Sequence, residues 1–258
     1  MTPAPPDSPS LIAIASGKGG VGKTWFAITL AQALGRLGRR VLLFDGDLGL
    51  ANVDVQLGLT PAHDLGSVLS GTIGLDRAVT RHADGGFDVL AGRSGSGALA
   101  SLDPVLLDRA LADLRRLAAA YDIVLLDLGA GVGRSVRRMA AGADLLLVLA
   151  IDEPTSLTDA YAVLKLFWSD RADGHARLVI NQAATRAAGE RTYAALRQAC
   201  RSFLRREPPL AGVIRRDDRV RDAIRRQSPL LTRHPACPAA TDVEAIAATL
   251  LLNAPAAA

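Results

Sequence analysis

The chain has 258 residues, 30 of them basic and 26 acidic, with a net charge of +4 and 49% hydrophobic content. Such a composition supports one α/β domain with a large aliphatic core, and it excludes a disordered chain, which would lack apolar surface to bury. Two cysteines, Cys200 and Cys237, are too few for a disulfide framework and lack the close spacing of a metal knuckle, so the chain fits a reducing cytosol.

Residues 1–10 contain four prolines and no basic segment ahead of an apolar run, which predicts a disordered tail rather than a signal peptide. The apolar run Leu11–Ala15 predicts a first strand, and Trp25–Leu37 a helix. Between them lies Ser16-Gly-Lys-Gly-Gly-Val-Gly-Lys-Thr24, which from Gly17 onward fits the phosphate-loop pattern G-x-x-x-x-G-K-[ST] in its strand–loop–helix setting. Glycines let the backbone turn with N–H groups aimed inward, and the helix N-terminus adds partial positive charge. Lys23 is placed to reach the outer phosphates and Thr24 to offer a hydroxyl to Mg²⁺. The lysine inventory supports this assignment, because only Lys18, Lys23 and Lys165 occur among the 30 basic residues, and two of the three lie in this loop. A compact ammonium enters a narrow cradle that a guanidinium fork would not fit.

Gly35 and Gly38 end the first helix, and Arg40–Asp45 reads as a buried strand. It ends in Asp45-Gly-Asp47, two carboxylates that are costly to bury together unless a cation or water needs them; a simple turn is the competing, less favoured account. Strand Phe87–Ala91, helix Asp103–Ala120 and strand Tyr121–Asp127 come next. Asp127 ends an apolar strand in the manner of a Walker B carboxylate, which can hold the water shell of Mg²⁺. The pattern continues with helix Arg134–Ala141, strand Asp144–Ile151, helix Thr155–Ser169, strand Ala176–Asn181, helix Glu190–Arg206 and strand Leu210–Ile214. Helices near Asp218–Arg226 and Asp242–Leu252 complete it. This alternation predicts a doubly wound, mostly parallel sheet over residues 11–253, with helices on both faces and a short tail at 254–258. Ligands in such sheets sit at the carboxyl ends of strands. The longest apolar run, Leu145–Ile151, is too short to cross a bilayer. No N-K-x-D guanine motif can be built from these three lysines, so ATP is favoured over GTP.

Lys18-Gly-Gly-Val-Gly-Lys-Thr24 resembles the deviant Walker A loop of the MinD/ParA class of P-loop ATPases. Within that class, Asp45-Gly-Asp-Leu-Gly-Leu-Ala-Asn-Val-Asp-Val-Gln-Leu-Gly-Leu59 is most similar to the flagellar-number regulators of the FlhG/FleN family. So are the stretches from Phe87 to Gly97, Asp152 to Tyr161 and Arg216 to Pro229. The resemblance runs from about Leu11 to Leu251. It implies a Mg²⁺-ATP-dependent homodimer in which Lys18 reaches the partner's nucleotide and Asp47 positions the attacking water. It further implies nucleotide contacts from Gly17, Lys18, Gly19, Gly20, Val21, Gly22, Lys23, Thr24, Trp25 and Asn181, the last at the adenine. The metal shell would involve Thr24, Asp127 and Asp45. Trp25 stands where a second hydroxyl is usual, Leu128 where a Thr or Ser is common, and Arg215 where a Pro often follows the strand. The implied output is control of flagellar number or placement through a partner such as an FlhF-like GTPase or a transcription factor, in the cytoplasm or peripherally at the cell pole or membrane. A ParA-like partition ATPase and a MinD-like division-site regulator are the alternatives.

Two surfaces bear on those alternatives. Between Arg186 and Arg226 there are twelve arginines and five acids, either solvated helix faces or a contact surface for nucleic acid, lipid or an acidic partner. No Lys or Arg follows Arg233, and the last helix carries Asp242, Glu244 and an apolar stripe of Val243, Ile246, Ala247 and Leu250. That pattern suits packing on the domain better than anionic lipid.

Overall fold

The computed structural model describes residues 11–47, 49–92 and 104–252; the two tails at 1–10 and 254–258 lie outside them. Eight strands form one sheet: β1 (Leu11–Ala15), β2 (Val41–Gly46), β3 (Val79–His82), β4 (Phe87–Leu90), β5 (Ile123–Leu128), β6 (Leu145–Ala150), β7 (His175–Ala183) and β8 (Leu210–Arg215), in the order β3-β4-β2-β5-β1-β6-β7-β8. All neighbours run parallel except β3, which pairs antiparallel with β4 and closes that edge. The sheet is therefore the mostly parallel, doubly wound one read from the alternation of elements.

Helices cover both faces. They are α1 (Lys23–Arg36), α2 (Val53–Leu57), α3 (Leu65–Leu69), α4 (Pro104–Ala118), α5 (Arg134–Gly142), α6 (Pro154–Asp170), α7 (Arg186–Leu204), α8 (Asp218–Arg225), α9 (Leu230–Arg233) and α10 (Pro238–Leu252). Side chains alternate across a strand, so each strand feeds two cores. Ile12 and Ile14 of β1, Val41 and Leu43 of β2 pack with Phe26, Leu30 and Leu34 of α1 and Val243, Ile246 and Leu250 of α10. Leu11, Ala13, Leu42 and Phe44 pack on the other side with Leu114 of α4, Met139 of α5, Phe167 of α6 and Leu196 of α7. The stripe on α10 is thus buried against the domain. Asp242 on the same helix is also buried, held by Arg215 at the end of β8 through Nε at 2.8 Å, a terminal guanidinium nitrogen at 2.9 Å and its backbone N–H at 3.0 Å.

Several elements escaped the sequence pattern. α2, α3 and α9 have five, five and four residues, too short for a periodic signal. β3 buries only His82, which stacks on Phe87 with ring centroids 5.2 Å apart. β7 continues beyond Asn181 to Ala183, and Gln182 there adopts a left-handed φ of 55°.

Candidate functional site

Because the strands are parallel, their carboxyl ends gather the loop after β1, Asp45, Asp127, Asn181 and Arg215 along one edge of the sheet. β1 lies between β5 and β6, which puts the Ser16–Thr24 loop beside Asp127. The loop is braced from several sides. The Gly131 amide donates to Ser16 O at 2.8 Å, and Ser16 Oγ donates to Lys18 O at 3.0 Å. A Cβ at Gly17 would come within 2.4 Å of the Asp159 carbonyl oxygen on α6. Gly20 and Gly22 have φ of 79° and 88°, the left-handed region that glycine tolerates, while added Cβ atoms at Gly19 and Gly20 would meet nothing within 4 Å. The loop thus bends around open space. Val21 sends its side chain into the core, leaving only its backbone to face that space.

The two lysines of the loop behave differently. Lys23 is buried and donates to Asp127 Oδ1 at 2.7 Å. Lys18 is partly exposed, pairs with Glu153 at the start of α6, and donates to Thr155 Oγ1 at 3.2 Å. Lys18 therefore turns away from its own cradle, and Glu153 and Thr155 were not among the residues the sequence singled out. Both lie in the family-like stretch Asp152 to Tyr161, but Glu153-Pro-Thr at a helix start reads equally as an ordinary cap, so the sequence assigns neither a role.

Asp45 and Asp127 are register partners on β2 and β5. Burial, reinforced by the charge of Asp127, pushes the Asp45 carboxyl up to about 7. Burial also raises Asp127, against the pull of the Lys23 ammonium and the Thr24 hydroxyl. Their environments nevertheless differ. Asp45 accepts three backbone N–H bonds, from Asp47 to Oδ1 at 3.2 Å and from Asn52 and Val53 to Oδ2 at 2.9 and 3.0 Å, so it caps α2 across a loop. Asp127 Oδ2 is buried and has no hydrogen-bond partner. An orphaned carboxylate oxygen beside a threonine hydroxyl offers oxygen donors that fit a hydrated divalent cation, while the Lys23 ammonium, which has no lone pair to give a metal, suits a phosphate. Asp47 Oδ1 accepts from Gly49 and Leu50 N–H at 3.3 and 3.0 Å, so Asp47 closes a turn onto the residues after it, and a Cβ on Gly129 would lie 3.3 Å from that same oxygen. This keeps Asp47 beside the end of β5.

A cavity of about 280 Å³ opens next to the cradle, lined by Gly20, Gly22, Trp25, Asn181, Arg215 and the start of α8. Asn181 does not simply face it: Nδ2 donates to Val21 O at 2.7 Å, Oδ1 accepts from Gln182 N–H at 2.9 Å, and a Cβ on Gly22 would sit 2.6 Å from Nδ2. In this structure Asn181 is a strut under the loop. Trp25 is buried, and its Nε1 has no partner. Five of the twelve arginines counted between Arg186 and Arg226 are engaged by acids: Arg186 and Arg215 by Asp242, Arg197 and Arg201 by Glu207, and Arg219 by Asp217. The basic stretch is accordingly less of a free cationic face than its composition suggests. No helix among the described residues is long and apolar enough to cross a membrane.

Comparison with known proteins agrees with this geometry. Residues 12–230 match the model of the CobQ/CobB/MinD/ParA nucleotide binding domain. The chain is 38% identical to the antiactivator FleN of Pseudomonas aeruginosa over 92% of its own length and 84% of that protein's. In structure it is similar to the cell division ATPase MinD of Pyrococcus furiosus, with a TM-score of 0.79, 26% identity, and coverage of 93% of this chain and 97% of that one. It is also similar to the septum site-determining protein MinD of Pyrococcus horikoshii in complex with Mg-ADP, with a TM-score of 0.77, 25% identity, and coverage of 92% and 94%.

Proposed function

Since the chain belongs to the CobQ/CobB/MinD/ParA nucleotide-binding family, we propose that it is a slow Mg²⁺-ATP-driven switch that pairs with a second copy of itself and controls flagellar number or placement. The observation that carries the reading is the division of labour between the two loop lysines, one held inside the cradle by Asp127 and the other held outside it by Glu153.

The glycine-lined backbone would hold the β- and γ-phosphates, with Lys23 moving from Asp127 Oδ1 onto the terminal phosphate. A magnesium ion held by Thr24, and through water by Asp127, would supply positive charge to the phosphate oxygens. Asp47, beside the end of β5, would orient the water for in-line attack on the γ-phosphate. Lys18, released from Glu153, would reach the nucleotide of the second copy, so that closure reports the presence of the γ-phosphate. The nucleoside would occupy the cavity lined by Trp25, Asn181 and α8. Asp45, with both oxygens committed to backbone donors, would shape the loop that carries Asp47.

The flagellar assignment rests on the 38% identity with FleN. The pairing of five arginines with acids favours it over a DNA-partition role. The test has two arms. Light scattering with ATP and Mg²⁺ should show a dimer that Lys18→Ala abolishes while ADP binding persists; normal dimerisation and turnover in that variant would sink the trans role of Lys18. Deletion in the source organism should change the number or position of flagella, and a plasmid- or septum-segregation defect with normal flagella would sink the flagellar role.

A further inference from the structure

The helix that borders the nucleoside cavity is tied to the helix that Asp45 caps. α8 contributes Asp218, Val220, Arg221 and Ile224 to the cavity wall. Its far end closes with Gln227 N–H donating to Ile224 O at 3.0 Å and Ser228 N–H to Ala223 O at 3.1 Å, with Gln227 in the left-handed region at φ 49°. Glycine is the residue that such a cap favours. A glutamine held there at conformational cost is accounted for by its side chain, whose Nε2 donates to Val55 O on α2 at 2.7 Å. Opposite it stands Gly58, also left-handed at φ 63°, where an added Cβ would come within 3.3 Å of Gln227 Cβ. The chain beyond Gln227 is fixed as well, because Leu231 N–H donates to Gln32 Oε1 at 3.0 Å and Gln32 Nε2 to Thr232 Oγ1 at 2.7 Å, anchoring α9 to α1.

α2 is therefore held at two points. Asp45 holds its N-terminus, and Gln227 holds its central carbonyl, Val55 O, from a frame fixed on α1. The loop between β2 and α2 carries Asp47. We propose that Gln227 is a positioning residue for hydrolysis: it ties the middle of α2 to the nucleoside-side helix, so that the Asp47 loop keeps its register when the site is filled. This rests on the ATPase reading of the site above.

The test uses full-length protein with Gln227→Gly, Gln227→Glu and Gln227→Arg. Gly relieves the left-handed backbone but loses the donor, Glu keeps the shape but cannot donate, and Arg restores an N–H. Gly and Glu should lower kcat for ATP about 5-fold, the scale of one lost hydrogen bond, with KM within about 2-fold, whereas Arg should stay within about 2-fold of wild type. Hydrogen exchange in nucleotide-free protein should show faster exchange at the amides of Gln56 and Leu59 in Gly and Glu, but not in Arg. Wild-type kcat in Gln227→Gly would overturn the role, and so would a loss confined to KM. If the wild type does not turn over ATP, the ATPase reading fails and the positioning role falls with it, while the exchange data still report whether the clamp exists.

Discussion

Replacing Asp242 with Ala isolates the ion pair that fastens α10 to the strand end beside the nucleoside cavity. The Asp242 side chain has 0% exposure and receives both side-chain and backbone donors from Arg215. Arg186 also approaches at 3.3 Å, but with 61% of its side chain exposed its share is screened and small. Removing Asp242 leaves the Arg215 backbone N–H without its acceptor and frees a guanidinium that, at 36% exposure, water can partly solvate, a loss on the order of 2–3 kcal/mol. For a chain of this size that corresponds to a fall in Tm of about 4–12 °C, read by differential scanning calorimetry without nucleotide. The Arg215–Asp217 loop should loosen with it and weaken ADP binding, measured by titration calorimetry below the new Tm. A Tm within about 2 °C of wild type would show that Asp242 is not structural in the way its burial implies, and would refute the reasoning.

Other expectations follow from the same geometry. Gly22→Ala places a Cβ 2.6 Å from Asn181 Nδ2 at a residue with φ of 88°, so ADP affinity should fall at least about 10-fold; wild-type affinity in titration calorimetry would contradict the strut role of Asn181. Asp45 is raised to about 7 in the fold against 3.8 unfolded, so the stability it contributes is full below about pH 4 and is lost as pH rises through 7. The stability difference between wild type and Asp45→Asn, from urea titrations of metal-free protein, should therefore shrink between pH 5 and 7.5, and a constant difference would count against a protonated Asp45. Lys23→Met leaves Asp127 buried without its cation and should abolish detectable ATP turnover; retention of even a tenth of wild-type kcat would remove Lys23 from the phosphate role.

Much of this site is written locally in the chain. The Ser16–Thr24 spacing, the apolar strands and the carboxylates and amide that end them are short-range signals, and parallel pairing brings Asp45, Asp127 and Asn181 to one edge without further information. What the chain does not display is how those side chains are spent. Asp45 looks like a metal ligand in isolation, and only the fold reveals that Asn52 and Val53 return to be capped by it. Asn181 reads as a base contact, yet it supports a glycine turn 160 residues earlier. The excess of arginine around α7 and α8 is unremarkable only once Asp242, from a helix later in the chain, is seen to neutralise two of them. β3 is illegible because an edge strand with one buried residue carries no alternation.

The three lysines also occupy three different environments: Lys165 is exposed on α6, Lys18 is partly sheltered by Glu153, and Lys23 is enclosed. Apart from the amino terminus these are the chain's only primary amines, so outside the site acylating reagents meet just Lys165 and that terminus. Labelling should proceed in the order of those environments. A mass spectrum of two peptides would then give the occupancy of the loop directly, with no engineered probe.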